Sequence, residues 1–101
     1  MAEFAKPRFY KNTNGNVLKI FRVLKEAQNE SEGYLTISEI ARRSGLHRWT
    51  VSRTIDLRMA YIVEVIIPEE LEQVGLRIKL ARLAGPGITE KGVVRGLNIR
   101  L

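Results

Sequence analysis

The side chains best equipped for chemistry crowd into one stretch. Between Thr36 and Leu57 stand Ser38, Arg42, Arg43, His47, Arg48, Trp49, Thr50, Ser52, Arg53 and Asp56. Arg53 carries a rigid fork of N–H donors, which suits a planar pair of acceptors such as guanine O6 and N7. Asp56, three residues on, can hold that guanidinium or accept from cytosine N4. Thr50 and Ser52 can bond phosphate oxygens or base edges, and the Trp49 indole can pack on sugars and thymine methyls or donate its N–H to a phosphate. The same residues also admit plainer uses. Trp49 can cover a neighbouring subunit or loop, and Arg53 with Asp56 can form a solvated ion pair. Catalysis is not favoured, because no nucleophile stands beside a base and no paired carboxylates or phosphate-cradling glycine loop stand out. His47 is the single histidine and there is no cysteine, so a metal site lacks ligands, while disulfides and thiol chemistry are excluded. His47 reads instead as a helix cap or a phosphate contact. No cofactor is expected.

Helical elements must hold these groups. Val17, Ile20, Phe21, Leu24 and Ala27 recur at helical spacing, which predicts a helix from Asn14 to about Glu30, with Lys19, Arg22, Lys25 and Glu26 on its other face. Residues 1–13 lack a clear period and read as an arm. Thr36-Ile37-Ser38-Glu39 reads as a capping box opening a helix that buries Ile37, Ile40 and Ala41 and stops at Ser44-Gly45. A further helix is expected from about His47 to Arg58. Taking about 100° per residue with Val51 at zero, Ile55 and Met59 fall on the same buried side. Trp49, Asp56 and Arg53 fall at about 160°, 140° and 200°, the centre of the outward face. Thr50 and Leu57 lie on one edge, Ser52 on the opposite flank, and His47 and Arg48 at the helix start.

Ile62 to Ile67 is β-branched and short and reads as a strand. Pro68 to Gly75 reads as a loop, and Leu76-Arg77-Ile78-Lys79-Leu80 as a second strand with Arg77 and Lys79 on its outer face. A hairpin joining Ile67 to Leu76 sets Glu64 across from Lys79, so Lys79 has two competing uses, that pair and a phosphate. Thr89 to Leu97 reads as a last short helix, and residues 98–101 as a tail.

The chain has 101 residues and 45% hydrophobic content, enough for one domain with a modest core. Net charge is +6, which favours a polyanionic partner. The charge is uneven: residues 61–75 hold four Glu and no base, whereas the segments on either side are basic. No apolar run is long enough to cross a bilayer and no signal-peptide region opens the chain, so a cytoplasmic protein without membrane contact is expected. Absence of Cys with abundant Ile, Arg and Glu would suit a thermophile or an archaeal source.

Ala41-x3-Gly45-x5-Val51, flanked by Ile40 and Leu46, combines a small residue at a helix crossing, a glycine at a sharp turn and an apolar plug. Leu35 to Leu46 followed by Thr50-Val51-Ser52-Arg53 resembles the helix-turn-helix of winged-helix transcription regulators of bacteria and archaea. The order after it is similar too: strand, turn, strand, then Ile88-Thr89-Glu90-Lys91-Gly92. The resemblance spans about residues 16–95 and implies an α+β winged helix-turn-helix domain over 14–97. Its expected parts are a three-helix core and a two- to three-stranded antiparallel wing at 62–83, with a recognition helix at 47–57 for the major groove of double-stranded DNA. The expected DNA contacts are Ser38, Arg43, His47, Arg48, Trp49, Thr50, Ser52, Arg53, Asp56, Arg77 and Lys79. Ser38 sits at a helix start where free N–H groups favour phosphate, whereas Arg42 and Arg43 can equally serve solubility. The acidic tip (Glu69, Glu70, Glu72) is expected to point away from DNA or to meet a basic partner surface. A homodimer is expected, through the arm residues Phe4, Phe9 and Tyr10 or through Val93, Val94, Leu97, Ile99 and Leu101. Rival readings are a winged-helix module for protein contacts and an architectural DNA binder without sequence preference. No small-molecule effector is evident.

Overall fold

The structure, a computed structural model, describes the backbone of residues 2–99 and the side chains of residues 13–96. The five apolar positions spaced along the first periodic segment all end up buried, and they make helix α1 (Ala2–Asn29) the spine of the core. This helix begins at Ala2, so the segment read as an arm is its N-terminal part. Extending an existing helix avoids the cost of nucleating a new one, which explains how a stretch without its own apolar period becomes helical. Ser31, at φ 57°, turns the chain out of α1, and the Glu32 N–H donates back to the Ala27 carbonyl at 2.8 Å.

Strand β1 (Leu35–Thr36) leads directly into α2 (Ile37–Ser44). Thr36 caps α2 as expected: its Oγ1 accepts from the Glu39 N–H at 3.0 Å. Gly45 ends the helix in the left-handed region, at φ 77°, with its N–H donating to the Ala41 carbonyl. After Leu46 and His47 the chain enters α3 (Arg48–Arg58). Val51, Ile55 and Met59 are all buried with Ile40 and Ala41, so α3 plugs into the core along the stripe that its helical period predicts.

The Ile62 N–H and Val63 N–H both donate to the Met59 carbonyl, turning the chain from α3 into strand β2 (Val63–Ile66). A short helix α4 (Glu69–Gln73) occupies the segment read as a loop. Pro68 pre-sets the φ of its entry, glutamates in the first turn suit the positive end of the helix dipole, and Gly75 at φ 87° ends it. Strand β3 (Leu80–Leu83) returns antiparallel to β2 and also pairs with β1, giving a three-stranded sheet in the order β1-β3-β2. The last element is α5 (Glu90–Ile99), with the Thr89 hydroxyl accepting from the Gly92 N–H at 3.1 Å. The described residues thus make an α+β fold of five helices and one small antiparallel sheet. Among the described residues no helix is long and apolar enough to cross a membrane.

The second strand departs from its sequence reading. The stretch Leu76 to Lys79 is not strand, and Leu76 is 50% exposed. Burial of Ala81 and Leu83 sets the strand's parity, leaving Leu80 and Arg82 on the opposite face. The tidy Leu76-Ile78-Leu80 alternation therefore sits on the wrong parity for the core. With α4 lengthening the connection, the register places Arg82 across from Glu64, and their side chains bond at 2.8 Å. The expected Glu64–Lys79 pair is replaced. Among the residues considered for a dimer surface, Val93 is 2% exposed and belongs to the core, while Val94 is exposed. Side chains of Phe4, Phe9, Tyr10, Leu97, Ile99 and Leu101 lie outside the described residues.

Candidate nucleic-acid interface

Helix α3 stands with one face in the core and one face in solvent, as its periodicity requires. The outward face forms a ridge of Trp49, Arg53 and Leu57, with Trp49 64% exposed. The Arg53 guanidinium lies 5.2 Å from the centroid of the Trp49 ring, a cation–π stack between residues one helical turn apart. His47 caps α3: its Nδ1 accepts from the Trp49 N–H at 3.0 Å. That bond leaves the ring at the helix entrance and fixes where Arg48 and Trp49 begin.

A cleft of about 450 Å³ runs along one side of the ridge, lined by Ser38 of α2, His47, Arg48, Trp49 and Ser52 of the α3 region, and Arg77 and Lys79 ahead of β3. None of the described residues lining it is acidic. Seven of the eleven expected contact residues are thereby brought to one concavity, although they come from three separate segments. Arg77 faces Glu72 at a loose 3.6 Å and stays well exposed. Lys79 reaches α3, with its Nζ 3.5 Å from the Asp56 carboxylate and donating to Ser52 Oγ at 3.4 Å. Asp56 is therefore engaged by Lys79, and Arg53 takes its support from Trp49. Both residues remain on the outward face, and with Ser52 and Leu57 they border a shallow hollow beside the indole.

On the other side of the ridge α1 and α3 enclose a cleft of about 550 Å³ lined by Thr13, Asn16, Trp49, Thr50, Arg53, Thr54, Leu57 and Arg58. Among the described residues lining it none is acidic either. Asn16 and Arg58 were not foreseen. On the helical wheel Arg58 falls on the inward side, close to Val51, but it ends α3 and its long side chain reaches out to the cleft. Asn16 precedes the first buried residue of α1 and carries no pattern that marks it.

Arg43, another expected contact residue, is engaged by two carboxylates of its own chain. Its guanidinium is clamped between Glu32 and Glu39, each at 2.7 Å, and its side chain is only 26% exposed. Those bonds tie α2 to the turn after α1, and they hold the Arg43 guanidinium in its charged form, above its ordinary range, through Glu32 first and then Glu39. Glu39 also accepts from Arg42, so its carboxylate serves both arginines and does not reach back to complete the capping box. Hydrogen bonds from Arg42 and then Arg43 hold the Glu39 carboxyl down to about 2.

Glu69, Glu70 and Glu72 line neither cleft. Among the described residues no three His, Asp or Glu side chains come together as a metal site would need. Comparison with known protein families, with curated proteins and with solved structures finds no match.

Proposed function

We propose that the chain is a winged helix-turn-helix domain that binds double-stranded DNA with sequence preference and acts as a transcription regulator. One observation carries the reading. A ridge of Trp49 and Arg53 stands between two clefts, and the described residues lining both include no carboxylate while supplying Arg48, Arg58, Arg77 and Lys79. A major groove is bounded by two phosphate strands, and a helix laid in it needs a reading edge flanked by cations on both sides. In this reading α2 and α3 are the helix-turn-helix, and β2, α4 and β3 are the wing.

Arg53 grips guanine O6 and N7, while Ser38, Arg48, Ser52, Arg77 and Lys79 meet one phosphate strand and Thr50, Asn16 and Arg58 the other. The test is selection of bound sequences from a random duplex library, followed by Arg53→Ala. Enrichment of a defined sequence is expected, with a loss of about 1–3 kcal/mol at the guanine position in the variant. Equal affinity for unrelated duplexes would instead favour an architectural binder, and no duplex binding at all would sink the reading. A homodimer on two half-sites about one helical turn apart belongs to the same proposal. Light scattering alone and on the selected duplex checks it, and a monomer in both cases refutes it.

A further inference from the structure

Trp49 has an unusual setting for an indole. It is 64% exposed, lies on the ridge and not at its rim, and spends one ring face on the Arg53 guanidinium. Among the described residues Arg53 makes no hydrogen bond and no ion pair with the protein; its nearest carboxylate neighbour on α3, Asp56, is engaged by Lys79. The stack holds the guanidinium beside the indole while leaving its N–H donors available. A shallow hollow of about 270 Å³ lies against the pair, bordered by Ser52, Asp56 and Leu57.

A fork of donors held in one plane is suited to a guanine edge. The indole beside it, with Leu57 one edge away, has apolar surface that must find an apolar group on the duplex. Base edges in the major groove display one such group, the methyl on pyrimidine C5. Thymine carries it by nature, and cytosine acquires the same group when methylated.

We infer that Trp49 and Arg53 act as one reading unit for a guanine flanked by a 5-methylpyrimidine, so that binding depends on that methyl and accepts 5-methylcytosine as it accepts thymine. The inference rests on the duplex-binding reading above and deepens it by naming the chemical group recognised. A methylated cytosine beside the guanine then strengthens binding where an unmodified one does not.

The experiment starts from the duplex enriched by selection and varies the pyrimidine beside its guanine. Thymine is compared with uracil, and 5-methylcytosine with cytosine, so that each pair differs by one methyl. Removal of either methyl is expected to weaken binding about fourfold, the worth of one buried methyl-sized group. Trp49→Ala closes both gaps, Trp49→Phe retains part of each, and Arg53→Gln loses the guanine preference while the methyl gaps persist. Trp49 is solvent-exposed, so these variants keep the fold, which circular dichroism verifies. An enriched sequence with no methyl beside its guanine overturns the inference, and so do equal affinities within each pair or gaps that survive Trp49→Ala. In those outcomes duplex binding itself still stands. Failure to bind any duplex removes both.

Discussion

Glu39 concentrates several functions of α2 in one residue. Its N–H completes the Thr36 cap, and its carboxylate holds Arg42 and Arg43. Because the folded chain holds this carboxyl at about 2, against an ordinary value of 4.5, the folded state favours the ionised form more than the unfolded state does. The resulting stabilisation is complete above pH 4.5 and drains away as pH falls through about 2, below which the group is protonated in both states. Glu32, lowered chiefly by Arg43, and Glu64, lowered chiefly by Arg82, push in the same direction. Screening by solvent keeps each contribution modest. Urea midpoints measured between pH 6 and about 2 should therefore fall for the native chain and fall less for Glu39→Gln. Parallel curves for the two proteins would show that the carboxylate does not couple folding to pH. The same cluster shows what periodicity leaves out about Arg43. Helical periodicity puts it on an outward face, but only the tertiary return of Glu32 shows that its charge is already spent.

At the scale of elements, the turn between α2 and α3 decides where the outward face of α3 points. Gly45 sits at φ 77°, and a Cβ built there meets nothing within 4 Å. Gly45→Ala therefore isolates the backbone cost of the left-handed conformation, about 1–2 kcal/mol. Thr36→Ala removes the cap at the other end of α2 and should cost about 1 kcal/mol. Both losses are read from chemical unfolding, and a neutral Gly45→Ala would mean that the turn can relax to another path. These features were legible in the sequence, because a cap, a glycine stop and a 3.6-residue period are local signals. The core stripes of α1 and α3 and the outward placement of Trp49, Arg53 and Asp56 were legible for the same reason. The wing was not. Leu76 to Leu80 alternates well enough to be a strand, yet the chain pairs Leu80–Leu83 because small Ala81 and Leu83 fit against the core. A period of two fixes which residues share a face but does not say which face is inward. The missed members of the site, Asn16 and Arg58, are likewise tertiary: one acquires its role from the way α1 lies along α3, the other from escaping past a helix end.

Across the whole molecule the charges are sorted in space as well as in sequence. Net charge is +6, the described residues lining both clefts beside the ridge include no acid, and the glutamates of α4 line neither. If the clefts hold the two phosphate strands, each cation neutralising a phosphate releases a counterion, and the logarithm of affinity falls against the logarithm of salt by about 0.9 per contact. Arg58 is the sharpest test, because it belongs to the α1–α3 cleft and sits off the reading ridge. Arg58→Ala should weaken binding to all duplexes alike, lower the salt slope by about 1 and leave the selected sequence unchanged. Glu69→Gln raises net charge by the same amount that Arg58→Ala lowers it, yet should leave the slope as it was, since Glu69 lines neither cleft. Net charge alone would move the two variants in opposite directions by similar amounts. A slope that follows net charge in this way would mean that the protein is held by its overall field, and the two-strand arrangement around α3 would have to be given up.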